Sequence, residues 1–425
     1  MHVLIEFRVE NHRSIRDEQV FTFEASRARS DGDGPARDVG GRLVLPAAGI
    51  YGANASGKSN VLLALDFMFQ AVVFSHRMWP PDGGVPREAF GWGPVAEEPS
   101  TFEVTLVLEG VRYEYGFVVD DDVVLEEWLF AWPKGRKQVW FERDGDVFKF
   151  GDRFHGENQV VRSVTRQNAL FLATAAQHGH DGVAAVHGWF RRIESMVVFN
   201  RHLPLRRPRD AWLRGGRRLS YGSSQLALFG ENAASEDLRA RLLDLLRAAD
   251  VGIIGFEQVW DDEPGPFTRS RYGGGIRVQH KSKDHAAWLP LEQESDGTIM
   301  LFRLGPVVLD VLAEGGLLLV DELEASLHPL LAHRIVQLFN NPATNPRHAQ
   351  LLFTTHDTNL VGTMMGPPTL VRDQVWLTEK DHEGATVLYP LSDYQPRKHE
   401  NVERGYLQGR YGAIPFLGPL APGAE

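Results

Sequence analysis

The 425-residue chain contains no cysteine. That removes disulfides, thiolate metal sites and a cysteine nucleophile from the chemistry open to it. It begins MHVLIEFRVENHRS, which lacks the basic-then-apolar order of a secretory signal. No apolar run approaches the roughly 18 residues that a membrane-spanning helix needs, so the expectation is a soluble cytoplasmic protein with no membrane partner. Positive charge is not in excess either. The net charge is -11 and the pI is near 5.8, so attraction of nucleic acid by the molecule as a whole is not expected, though a local basic patch could still bind it. Glycine and proline are spread along the chain rather than clustered. A hydrophobic content of 43% and a charged content of 24% belong to an ordinary globular chain, long enough for two or three domains.

The hydrophobic pattern divides the chain. Residues 3–9 and 19–25 read as strands around the polar turn ENHRSIRDE. A short apolar run, RLVLPAAGI, leads into the glycine-rich stretch GANASGKSN at 52–60. After it, residues 59–74 are apolar nearly all round, as in a buried helix. Residues 101–118 and 123–132 alternate like an antiparallel meander, with Asp120, Asp121 and Asp122 as a solvated hairpin turn. From about 160 to 250 the spacing turns helical. Alternating α/β order returns in the last third, with strands at GGLLLVDE, AQLLFTTH and VRDQVWLTE. No repeat of 20–50 residues is present.

Three elements carry chemistry. The first is G-x-x-x-x-G-K-S, met by Gly52, Gly57, Lys58 and Ser59 between a strand and a helix. Glycines let successive N–H groups turn inward onto phosphate oxygens, and the helix start adds its positive end. Lys58 would reach the β- and γ-phosphates and Ser59 would offer a hydroxyl to Mg²⁺. Around the triphosphate of ATP the loop would contribute Gly52, Ala53, Asn54, Ala55, Ser56, Gly57, Lys58, Ser59 and Asn60. The second is Leu317–Val320 followed by Asp321 and Glu322. A strand lying beside the phosphate-loop strand would set Asp321 at the metal and Glu322 as general base for the attacking water. The third is His356, at the tip of the next strand, where a side chain can sense the γ-phosphate.

This order resembles the ATPase head of the ABC superclass, the group of SMC, RecF-like and OLD-type proteins. Ser295-Asp296-Gly297-Thr298 stands where such heads carry their signature loop, which here also reads as a helix N-cap. FRVENHRSI, YGANASGKSN, ESDGT, DELEASLHP, FTTHDTNL and the tail YLQGRYGAIPFL are similar to the AAA-type, OLD-like ATPases of the RloA/AbiL type, found in prokaryotic anti-phage systems beside a small effector such as RloB. The resemblance implies an α/β fold. It would be an ABC-type P-loop head, with a mixed core sheet and an antiparallel N-terminal β-subdomain, interrupted by a mainly helical insertion. The expected division is 1–134 and 286–380 for the head, 135–285 for the insertion and 381–425 for a C-terminal extension. It further implies ATP hydrolysis with Mg²⁺ and a head-to-tail pair of copies in which Ser295 and Gly297 of one complete the site of the other. Ser326 would fall in a loop crossing that interface. The family's glutamine loop has no assigned place in the sequence; Gln70 reads as structural, and 88–100 is the nearer candidate region.

Other features are weaker. Residues 189–218 hold nine arginines against Glu194 and Asp210, a surface for nucleic acid or an acidic partner, or a solvated loop. Tyr406, Tyr411 and Phe416 would cap the core or dock an effector. His178 and His180 have metal-like spacing but no partner cluster, so they read as a surface loop. The functional expectation is an ATP-dependent dimerisation switch that regulates a defence effector. The alternative is a DNA-binding ATPase of repair or chromosome type. A transporter motor fits poorly with the large insertion, and too little chain follows the last core strand for a fused nuclease.

Overall fold

The structure is a computed structural model that describes residues 1–26, 34–197, 233–249, 252–260, 274–282, 287–364, 366–394 and 400–415. Two sheets organise it. A seven-stranded antiparallel sheet runs, from one edge to the other, Val147–Phe150, Gln138–Asp144, Val124–Trp132, Val111–Val119, Ser100–Leu108, His2–Glu10 and Gln19–Thr22. A six-stranded sheet runs Ile193–Ser195, Leu317–Val320, Gln350–Thr354, Ala47–Gly52, Val375–Lys380 and Thr386–Pro390. Its first five strands are parallel and the last is antiparallel.

Side-chain alternation splits the parallel sheet between two cores, because successive Cβ atoms of a strand point to opposite faces. Ala48, Ile50, Leu317, Leu319, Leu352 and Trp376 face the helix Lys58–Met78 and the antiparallel sheet behind it. Ala47, Tyr51, Leu318, Val320, Leu351, Phe353 and Leu377 face the helices Asp296–Glu314 and Pro329–Asn340. Covered on both sides, these strands read as unbroken apolar runs, as buried parallel strands do.

Lys58–Met78 lies between the two sheets, which explains its lack of a polar stripe. It is long and apolar enough to cross a membrane, with a mean hydropathy of 1.4, and 72% of that stretch is buried inside the protein. The expectation that no run reaches such a length is corrected: a helix packed on both faces passes the same test.

The expected domain limits also shift. Strands Gln138–Asp144 and Val147–Phe150 extend the N-terminal sheet, so 134 is not its end. Phe171, Trp189 and Phe190, from the helices Phe171–Gln177 and Asp181–Phe190, belong to the same core as Lys58–Met78. Ile193–Ser195 is an edge strand of the parallel sheet. The span begun as an insertion therefore builds the head itself. What stands apart is the helix Ala233–Ala249 with the three-stranded sheet Ile253–Trp260, Gly274–His280 and Trp288–Pro290. That helix packs on Asp296–Glu314 where Gly305 leaves room for Leu242. At the other end, Thr386–Pro390 pairs with Val375–Lys380, so the sheet continues past 381.

Candidate functional site: a phosphate loop and an acidic turn

The strand Ala47–Gly52 is buried at every residue and delivers the chain to the rim of the parallel sheet. Loop residues Asn54 and Ala55 form an exposed crest, while Ser56 is buried beneath them. Two glycines are required here. A Cβ at Gly52 would stand 2.5 Å from the Thr378 carbonyl oxygen, and one at Gly57 would overlap Thr386 Oγ1. Gly57 also has φ 108°, a conformation that side chains disfavour, and from it the helix Lys58–Met78 starts.

The loop is held from behind. Ser56 Oγ pairs with Thr378 Oγ1 at 2.7 Å, and Thr386 Oγ1 donates to the Ser56 carbonyl at 3.0 Å. Asn60 Nδ2 donates to Ser14 Oγ at 2.6 Å, and Ser14 Oγ in turn meets Thr386 Oγ1 at 2.7 Å. Sequence reasoning missed Ser14, Thr378 and Thr386. Each is an ordinary polar residue on a turn or strand, and only the folded sheet brings it to the loop.

Lys58 is 7% exposed, and Nζ donates to the carbonyls of Gly52 (3.0 Å) and Ala53 (3.1 Å). Burial lowers its pKa, while the carboxylates of Glu322, Asp321 and Glu324 act in the opposite direction. Ser59 Oγ donates to Asp321 Oδ1 at 2.8 Å, and Thr354 Oγ1 donates to the same oxygen at 2.7 Å. The strand of Asp321 is not the neighbour of Ala47–Gly52 that the sequence suggested. Gln350–Thr354 lies between them, with Val320 opposite Phe353 and Thr354 opposite Ile50. The interposed strand supplies Thr354, whose hydroxyl also accepts the Glu322 N–H at 2.7 Å.

Past Asp321 the chain turns sharply. Glu322 (φ 53°) and Ser326 (φ 63°) both adopt left-handed backbone without being glycine, which costs about 1–2 kcal/mol each. Both are exposed. His356, also exposed, follows Thr354-Thr355 at the strand tip, and its N–H donates to Glu324 Oε1 at 2.6 Å. Its pKa is lowered, first by partial burial and then by Lys58, with Glu324, Glu322 and Asp321 opposing. Lys58, Asp321, Glu322, Glu324 and His356 thus share one electrostatic neighbourhood.

Ser295 and Gly297 lie on another segment, at the start of the helix Asp296–Glu314. Ser295 is exposed and caps Asp296–Glu314, its Oγ accepting the Thr298 N–H at 3.1 Å. A Cβ on Gly297 would come to 2.9 Å from the Ser326 carbonyl oxygen. Within one chain the segment 295–298 therefore abuts the far end of the acidic turn.

The tail closes the rim. Tyr406 packs edge-on against Tyr51 with ring centroids 5.8 Å apart, and Tyr51 donates its hydroxyl hydrogen to the Asp357 carbonyl at 3.0 Å. Thr358 Oγ1 donates to Glu403 Oε1 at 3.0 Å. Tyr406 and Tyr411 are buried, and Phe416 lies outside the described residues. So does the arginine-rich run from 198 onward. Segment 88–100 contains no glutamine; its backbone carbonyls accept hydrogen bonds from Asn11 Nδ2. Gln70 is buried in its helix. Asp120 Oδ1 accepts the N–H groups of Asp122 and Val123, closing the hairpin turn. His180 caps the helix Asp181–Phe190, and no group of three or more His, Asp or Glu suited to a metal occurs among the described residues.

A glycine cradle that a Cβ would fill, a lysine folded over its rim, and a serine hydroxyl on a buried aspartate suit a nucleoside triphosphate with Mg²⁺, whose ligands are hard oxygens. The strand, glycine loop and helix together form a P-loop of the nucleotide-binding kind. The chain belongs to the AAA_21 family, described as "AAA domain, putative AbiEii toxin, Type IV TA system", whose model matches residues 47–362. No curated protein matches it. Among solved structures it is similar to an Smc head bound to the C-winged helix domain of ScpA (15% identity, 95% of this chain and 99% of that one, TM-score 0.47). It is also similar to the SMC head domain from Thermotoga maritima (12% identity, 91% and 98%, TM-score 0.40). A third is an Smc head with an extended coiled coil, bound to the C-terminal domain of ScpA derived from Pyrococcus furiosus (13% identity, 93% and 98%, TM-score 0.45).

Proposed function

We propose that the chain binds and hydrolyses ATP with Mg²⁺ and uses the cycle as a dimerisation switch, acting in the cytoplasm as the regulatory subunit of an anti-phage system that controls a separate effector. The observation that carries the ATPase part is the Ser59–Asp321 hydrogen bond of 2.8 Å beside Lys58, within the electrostatic reach of Glu322 and His356. Mg²⁺, held by Ser59 and Asp321, would supply charge neutralisation on the phosphates. Lys58 would leave the Gly52 and Ala53 carbonyls for the phosphate oxygens. Glu322, exposed at the rim, would accept the proton of the attacking water, and His356 would read the terminal phosphate.

The dimer part rests on exposure. Ser295 is exposed and bonds only inside its own helix turn among the contacts described, which leaves it open to a second copy. The effector role rests on the family resemblance alone. Sizing a Glu322→Gln variant with and without ATP tests the switch: a mass that doubles with ATP is expected, and an unchanged mass sinks the head-to-tail pair. Measuring hydrolysis with and without bare DNA separates the effector switch from a DNA-binding ATPase, since strong stimulation points to the latter.

A further inference from the structure

We infer that Glu324 is a positioning residue that ties the His356 loop to the acidic turn and holds both at Lys58; this rests on the ATPase reading above. Three observations lead there. The parallel strand ends at Thr354, so the His356 N–H has no ladder partner, and Glu324 Oε1 supplies one at 2.6 Å. The other oxygen, Oε2, is buried without a hydrogen-bond partner. A buried carboxylate oxygen left open is costly, and such groups persist where a site has use for them. Lastly, the Glu324 charge acts on Lys58, on His356 and on Tyr51.

The turn is built to bring Glu324 there. The Leu323 N–H donates to the Thr354 carbonyl at 3.0 Å, and the Leu327 N–H to the Glu324 carbonyl at 2.9 Å. Left-handed residues bracket the segment at Glu322 and Ser326. The carboxylate therefore leaves a fixed backbone and meets a loop that has no other tie to the turn beyond Thr354 among the contacts described. Glu322 and His356 are registered against each other through Glu324, not through direct contact.

Three substitutions separate the parts. Glu324→Gln keeps an oxygen that can accept the His356 N–H, Glu324→Asp keeps the charge with a shorter reach, and Glu324→Ala keeps neither. Steady-state ATP hydrolysis should show kcat falling about 10- to 100-fold in the Ala and Asp variants, in line with misplacement of a reacting group. KM should move less than about 3-fold, and Gln should restore most of kcat. Amide exchange at His356, followed without nucleotide, should quicken in Ala and Asp but not in Gln. That readout needs no activity, and amides elsewhere in the parallel sheet report any general loosening. Wild-type kcat and exchange in the Asp variant overturn the inference, as does a Gln variant as impaired as Ala. If the parent protein and Lys58→Ala hydrolyse ATP equally, the ATPase reading fails instead, and the exchange result still decides the role of Glu324.

Discussion

A carboxylate inside the antiparallel sheet and one at the rim of the parallel sheet are partnered to opposite degrees. The first, Glu127, has no exposed surface, yet both its oxygens are used. They accept the Tyr115 hydroxyl at 3.0 Å and the N–H groups of Phe171 and Leu172 at 2.6 and 2.9 Å. Arg143 lies 3.9 Å away and donates to the carbonyls of Gly145, Gln167 and Ala169. Burial raises the Glu127 pKa and lowers that of Arg143, and the network keeps its place through hydrogen bonds. At the rim, Lys58 rests on two carbonyls, Glu324 keeps an open oxygen, and the backbone at Glu322 and Ser326 is left-handed. A fully satisfied network rigidifies a core; under the proposed ATP-binding role the open oxygen lies beside the place a ligand would take.

That contrast can be broken from either side. The largest effect is expected at the rim. Glu322→Gln should lower kcat by about 10²–10⁴-fold with little change in melting temperature, checked by hydrolysis and calorimetry together. Next comes the closed side. Glu127→Ala strands a buried arginine and should cost about 3–5 kcal/mol of stability in denaturant unfolding, leaving the KM for ATP unchanged in the molecules that fold. A smaller effect compares two glycines. Gly57→Ala would push a methyl group into Thr386, and overpacking of about 1–3 kcal/mol should appear as weakened nucleotide binding. Gly110→Ala, at φ 81° with nothing within 4 Å, should cost about 1–2 kcal/mol of stability and leave binding alone.

A further effect appears only in acid. His12 is buried between Phe67 and Phe102, with its pKa lowered by burial to about 3 from 6.5. Below pH 6.5 the unfolded chain binds a proton that the folded chain does not. Stability should therefore fall from that pH towards about 3, by up to about 1.4 kcal/mol per pH unit for one histidine. His187, lowered to about 4, adds in the same direction. His12→Phe should flatten its share of the slope, seen by urea unfolding at neutral and acidic pH.

The phosphate loop was legible because its chemistry is local: eight residues between a strand and a helix say nearly everything about it. Asp321, Glu322 and His356 stand out as candidates because each follows closely on an apolar run. The strand order was not legible. Periodicity marks Leu317–Val320 and Gln350–Thr354 as buried strands but carries no information on which of them adjoins Ala47–Gly52. Ser14, Thr378 and Thr386 were invisible for the same reason, since a support defined by sheet registry leaves no pattern along the chain. Glu324 was read as part of a motif string, because only the fold shows its second oxygen open and the His356 amide within reach. The boundary expected at 135 falls within the antiparallel sheet, which runs on to Phe150 before the helices begin at Asn158.

The braces on the phosphate loop have a practical reach. A fragment trimmed to the family-matched stretch, 47–362, would retain every residue of the loop and lose Ser14, Thr378 and Thr386 together. It would also strip Val375–Lys380 from Ala47–Gly52 and turn a central strand into a raw border that invites aggregation. The smallest piece that keeps the loop braced is therefore set by what leans on it, and it stretches from the first strand to the last.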